Sequence, residues 1–113
     1  HGGVPRGFED LKDLEKMDIR TQIVWNDPSP SVDEFYPSPR TGYDPSIPIY
    51  LYGQKPLKDF LEKLGREILI SGHGHVNDSP LLGQVRVCSS RLSLDGRRCI
   101  LRVFGSNVER IFF

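Results

Sequence analysis

The sequence is poor in the residues that usually announce a chemistry. It has two cysteines, Cys88 and Cys99, one tryptophan, one methionine and three histidines. Two cysteines exclude a disulfide framework. A tight turn at Asp95-Gly96 predicts Cys88 opposite Val103 and Cys99 opposite Leu92, a register that keeps the two thiols apart. Charge of either sign is also not in excess: 15 Lys and Arg balance 15 Asp and Glu. No global field therefore favours nucleic acid or an anionic membrane, and any affinity for phosphate must come from a local site. No stretch is long and apolar enough to span a bilayer. This composition suits a reducing cytosol, so a cytoplasmic location without a membrane or nucleic-acid partner is the expectation.

At 113 residues the chain suits one domain, large enough for a core but small for a complete two-metal hydrolase. Phe8, Leu11 and Leu14 at helical spacing predict a short amphipathic helix over residues 7–17. The largely apolar residues 21–25 predict a strand, closed by Asp27-Pro28 because proline cannot donate to a ladder. Six of the nine prolines fall in residues 28–48, which read as a long loop ordered by its aromatics. The clearest helix covers residues 56–64. Pro56 suits its first turn, Leu57, Phe60, Leu61 and Leu64 share a face, and Gly65 can end it in a left-handed cap. Strands are expected over residues 67–70, 83–89, 98–104 and 108–113, with the Asp95-Gly96 hairpin joining the second and third. Residues 68–70 and 99–104 lack clean alternation and should be central strands, covered on both faces.

All three histidines sit beside glycines: His1 in His1-Gly2-Gly3-Val4-Pro5, and His73 and His75 in Ser71-Gly72-His73-Gly74-His75. Residues two apart on an extended turn point the same way, and neutral imidazole is a common metal ligand. On its own such a motif is an ordinary glycine-rich loop with two surface histidines. The apolar run Ile68-Leu69-Ile70 before it, and a third glycine-flanked histidine, favour a cleft that holds a metal. Arg40, in Pro39-Arg40-Thr41-Gly42, offers a planar, permanently charged fork that matches phosphate oxygens.

Taken in order, His1-Gly2-Gly3, Trp25-Asn26-Asp27-Pro28, Arg40, Tyr50-Leu51-Tyr52-Gly53 and Gly72-His73-Gly74-His75 resemble the rear half of a calcineurin-like metallophosphoesterase. The likeness is nearest to the serine/threonine phosphoprotein phosphatases. It implies a mixed α/β (α+β) chain forming half of a four-layer αββα sandwich, with about five strands and two helices. Residues 1–113 would be the C-terminal portion of one domain whose N-terminal half lies outside the chain. It further implies two divalent metals (manganese, iron or zinc) activating a water for attack on a phosphomonoester. His1 and His73 would bind one metal and His75 the other. Arg40 would clamp the substrate phosphate, with Asp27 orienting it. Asn26 stands where the family has serine, a difference expected to matter little, and Cys88-Ser89-Ser90-Arg91 replaces the segment that lines the family's cleft.

The front-half motifs Asp-x-His, Gly-Asp-x-x-Asp-Arg-Gly and Gly-Asn-His-Glu are absent, so the isolated chain is expected to be inactive. Its start at His rather than Met suggests a processed product, a fragment or a partial record. The expected partners are a phosphorylated substrate, protein or small phosphoester, and the missing N-terminal half. Two alternatives remain: a non-catalytic interaction module that keeps the fold, and a copper protein that chelates through the amine and ring of His1.

Overall fold

The computed structural model describes residues 1–78, 80–88 and 93–113. Among them lie two α-helices, one 3-10 helix and seven short strands in three small sheets, a mixed α and β fold. The strands β1 (Asp27–Pro28), β2 (Phe35–Pro37) and β3 (Tyr50–Tyr52) form a sheet in the order β1-β3-β2, parallel on the β1 side and antiparallel on the other. Strand β4 (Leu69–Ser71) runs parallel to β5 (Gln84–Arg86), and β6 (Cys99–Phe104) forms a hairpin with β7 (Asn107–Phe112). No described helix is long and apolar enough to cross a membrane.

The first forty residues differ from the expectation. Instead of a helix over residues 7–17 there is only a 3-10 turn, Leu11–Glu15. It is nucleated by polar capping. Asp13 Oδ2 accepts from the amides of Glu9 (2.6 Å) and Asp10 (3.2 Å), while Asp10 accepts from Lys12 N at 2.8 Å. Leu11 and Leu14 stay exposed, so their helical spacing carried no burial. The helix lies one segment later: α1, Met17–Trp25, includes residues 21–25, which are therefore not a strand. Its inward positions are Ile19, Gln22 and, just past its end, Asn26. Two of the three are polar, which removed the apolar periodicity and left the β-branched Ile23-Val24 pair as the dominant local signal.

The helix α2, Gln54–Leu64, agrees with the expectation, and Gly65 caps it at φ 61°, ψ 40°. Leu57 and Leu61 join Val4, Tyr52 and Leu81 in the core, with Phe35, Phe60 and Leu69 packed on the cluster. Sheet pairing departs from the expected pattern after residue 86. The turn at Asp95-Gly96 exists, with Gly96 N bonded to Ser93 O at 3.2 Å, but it does not join β5 to β6. β6 instead pairs with β7, Val103 facing Val108, across a turn at Gly105 (φ 60°). The cysteines are consequently neighbours rather than separated: Cys99 N donates to Cys88 O at 3.0 Å, and both thiols are free and buried. Leu92, the expected partner of Cys99, lies outside the described residues, as do Ser89, Ser90 and Arg91.

Neither β4 nor β6 is covered on both faces in this chain. Ile70, Ile100, Val103 and Phe104 are all exposed. Each of these strands has one partner among the described residues.

Candidate metal and phosphate site

Two glycine motifs far apart in sequence are stitched together by their own backbones. The amides of Gly2 and Gly3 both donate to Ile23 O at the end of α1 (2.7 and 3.0 Å), and Gly72 N donates to His1 O at 3.0 Å. The glycines are required by contact. A Cβ on Gly2 would lie 2.4 Å from Asn26 O, and one on Gly3, at φ +154°, would lie 1.9 Å from the Tyr52 hydroxyl. Glycine at these positions lets the chain bearing His1 run flush against α1 and β3.

Asn26 is the hub of that junction and is fully buried. Its Nδ2 donates to Val4 O at 2.8 Å and its Oδ1 accepts from Tyr50 N at 2.7 Å, tying the His1 segment, α1 and β3 together. A serine could not span both partners, so asparagine matters at this position, contrary to expectation.

After β4 the chain makes a three-residue turn in which Gly74 N bonds to Gly72 O at 2.7 Å. Its central residue, His73, has φ 59° and is the one non-glycine at positive φ among the described residues. Such γ-turns are strained and persist only where surrounding contacts hold them. The turn brings the His73 ring edge-on to His1, with centroids 4.8 Å apart, and edge-on to Trp25 at 5.5 Å. His1 and His73 are thus on one side, as expected, and His75 lines the same cleft of about 640 Å³.

Arg40 and Asp27 line the same cleft. Asp27 is fixed by β1 pairing with β3, whereas Arg40 comes from the proline-rich loop. Arg40 Nη2 donates to Asp27 Oδ2 in a tight ion pair and to His73 Nε2 at 3.0 Å, with Asp27 Oδ1 3.5 Å from the same nitrogen. Burial lowers the His73 pKa. Asp27 acts against this by raising it, while Arg40, Arg86 and the N-terminal charge lower it further. An unprotonated His73 is the form that can accept from Arg40 or donate a lone pair to a metal.

The donor chemistry fits a divalent cation in part. Two imidazoles converge and a third lines the same cleft, a donor type that suits manganese, iron or zinc. Among the described residues, however, no group of three or more His, Cys, Asp or Glu side chains forms a complete set of ligands. A cation held here would need further carboxylates from outside, and loading it through His73 Nε2 would require Arg40 to withdraw towards Asp27.

Two contributors had no sequence signal. Asn77 is buried and accepts from Cys88 N (2.7 Å) and Cys99 Sγ (2.8 Å) while donating to Arg97 O (2.8 Å), so it anchors the loop after the histidines to β6. Arg86 packs its guanidinium against Gly74, where a Cβ would lie 1.4 Å from Nη2. Neither belongs to a recognisable motif: Arg86 reaches the histidine turn from β5, and Asn77, two residues after His75, is held by partners 11 to 22 residues further on.

A scan with protein-family models finds no match to the chain, and a search of curated proteins finds none either. The metallophosphoesterase likeness therefore rests on the sequence motifs alone.

Proposed function

We propose that this chain is the C-terminal portion of a metal-dependent phosphoester hydrolase of the serine/threonine phosphoprotein phosphatase type, built as a four-layer αββα sandwich. The observation that carries the reading is the convergence of His1, His73 and the Arg40–Asp27 pair on one cleft from three separate parts of the chain. A structural ion pair alone would not need two imidazoles drawn to it on glycine-only backbones.

In this reading His1 and His73 would hold one divalent cation, and His75 would face its neighbour. A bound metal would supply a water-derived nucleophile at neutral pH and neutralise charge on the phosphoryl oxygens. Arg40 orients the substrate. Its side chain is half exposed, and both of its described contacts run through Nη2, which leaves other N–H groups for phosphate oxygens. Asp27 holds Nη2 of that guanidinium and balances its charge. The substrate would be a phosphorylated protein or a small phosphoester. Bridging carboxylates and the acid for the leaving group would come from the remainder of the domain, which would also cover Ile100, Val103 and Phe104. By itself the chain would bind metal weakly and turn nothing over.

Manganese supplies the test, because its paramagnetism broadens nearby proton resonances. Titrated into the chain, it should broaden the ring protons of His1, His73 and His75 before those of any other side chain. Inorganic phosphate should then perturb Arg40, and Arg40→Ala should lose that response. Broadening confined to acidic surface residues, with the histidines sharp, would remove the metal site and the reading with it.

A further inference from the structure

The γ-turn at His73 stores strain, and its own hydrogen bond does not explain why it holds. The turn is gripped at both ends by backbone bonds, Gly72 N to His1 O at 3.0 Å and Leu94 N to His75 O at 2.6 Å. Its middle is gripped differently. The Arg86 guanidinium fills the space beside the Gly74 α-carbon, with Nη2 1.4 Å, Cζ 2.4 Å and Nε 3.0 Å from where a Cβ would stand.

Arg86 is itself immobilised. It sits on β5 in register with Ser71, the last residue of β4 before the histidine turn. Its Nε is buried, and its carbonyl accepts from Arg110 Nε and Nη2, both at 3.3 Å, reaching across from β7. Next to it, Gln84 donates to Ser71 Oγ at 2.8 Å and to the Tyr52 hydroxyl at 2.9 Å, and that hydroxyl donates to Gly2 O. One ladder of contacts thus runs from the β6–β7 hairpin through Arg86 and Gln84 to the backbones of both histidine motifs.

We infer that Arg86 is a positioning residue, whose guanidinium braces Gly74 and thereby keeps His73 in its left-handed conformation facing His1. The chemistry suits the task. A guanidinium is flat and rigid, so it can lie against a backbone where a glycine leaves room, whereas a lysine ammonium at the end of a mobile stem cannot. The inference rests on the proposed function only for what the histidines would hold; the brace itself is a statement about their geometry.

The test reads that geometry directly. In the chain itself, ring-proton Overhauser contacts between His1 and His73 should be present. Arg86→Met should abolish them while the chain stays folded by far-ultraviolet circular dichroism. Gly74→Ala leaves Arg86 in place but expels its guanidinium, so it should abolish the same contacts and guards against a misfolded Arg86→Met. The two changes attack one contact, so the double variant should lose no more melting temperature than the more damaging single variant. Persistent His1–His73 contacts in folded Arg86→Met, with only the melting temperature reduced, would make Arg86 a stability residue and overturn the inference. Additive effects of the two changes would overturn it as well. Failure of the chain to bind manganese, with the Overhauser pattern responding as described, would sink the hydrolase reading and leave the brace standing.

Discussion

Replacing Asn26 should be among the most damaging single changes to the chain. Its side chain is fully buried and holds two backbone groups from different segments, Val4 O at 2.8 Å and Tyr50 N at 2.7 Å. Asn26→Ala strands both. An orphaned buried polar group costs about 1–3 kcal/mol, so the pair should cost about 2–6 kcal/mol. That is a large part of the roughly 5–15 kcal/mol by which a domain of this size is stable. Asn26→Ser reaches at most one of the two partners and should cost about 1–3 kcal/mol. Asn26→Asp retains the acceptor for Tyr50 N but sets a carboxylate oxygen against the Val4 carbonyl, so at neutral pH it should be no better than alanine. Urea unfolding followed by the fluorescence of Trp25, the single tryptophan and the residue just before Asn26, reads all three. An Asn26→Ala midpoint within about 0.5 kcal/mol of the parent at unchanged slope would refute the hub.

Other consequences follow from the same contacts. Gly3→Ala drives a Cβ to 1.9 Å from the Tyr52 hydroxyl and should cost about 1–3 kcal/mol in thermal unfolding, whereas Gly7→Ala, with nothing within 4 Å, should pay only for its positive φ of 81°. Gly65→Ala at the end of α2 should cost about 1 kcal/mol, since its space is open but its φ is 61°. Asp13 and Asp95 are both held down to about 2 from an ordinary 3.8, chiefly by hydrogen bonds from Lys16 and Ser93 respectively. Their contribution is complete above the ordinary carboxylate value and disappears as pH falls through about 2. Asp13→Asn and Asp95→Asn should therefore each flatten the loss of stability on acidification across that window.

What could be read from the sequence follows a physical divide. The helix α2 was legible because its buried face is apolar and its end is a glycine in the left-handed region. The histidine turn was legible because glycines were needed at both flanks. By contrast, α1 was hidden by Gln22 and Asn26, whose inward placement depends on partners 16 to 24 residues away. The β6–β7 pairing competed with an equally good turn at Asp95-Gly96, and nothing local distinguishes them. Arg86 and Asn77 could not be found at all, because their roles arise from strands and loops that meet only after folding. The convergence of Arg40 on Asp27 and His73 lay between these cases: the residue types were suggestive, and the fold supplied the distances.

The central claim is best tested by hydrolysis of an aryl phosphate with manganese present. The assay compares the chain alone with the chain assembled onto a metallophosphoesterase front half that carries the aspartate motifs. Background rates are expected from the chain alone and metal-dependent turnover from the assembly. His73→Ala should abolish that turnover through metal loss. Arg40→Ala should raise the barrier by about 2–4 kcal/mol at full metal occupancy. Robust activity from the chain alone, or an assembly whose turnover is unchanged by both His73→Ala and Arg40→Ala, would contradict the central claim.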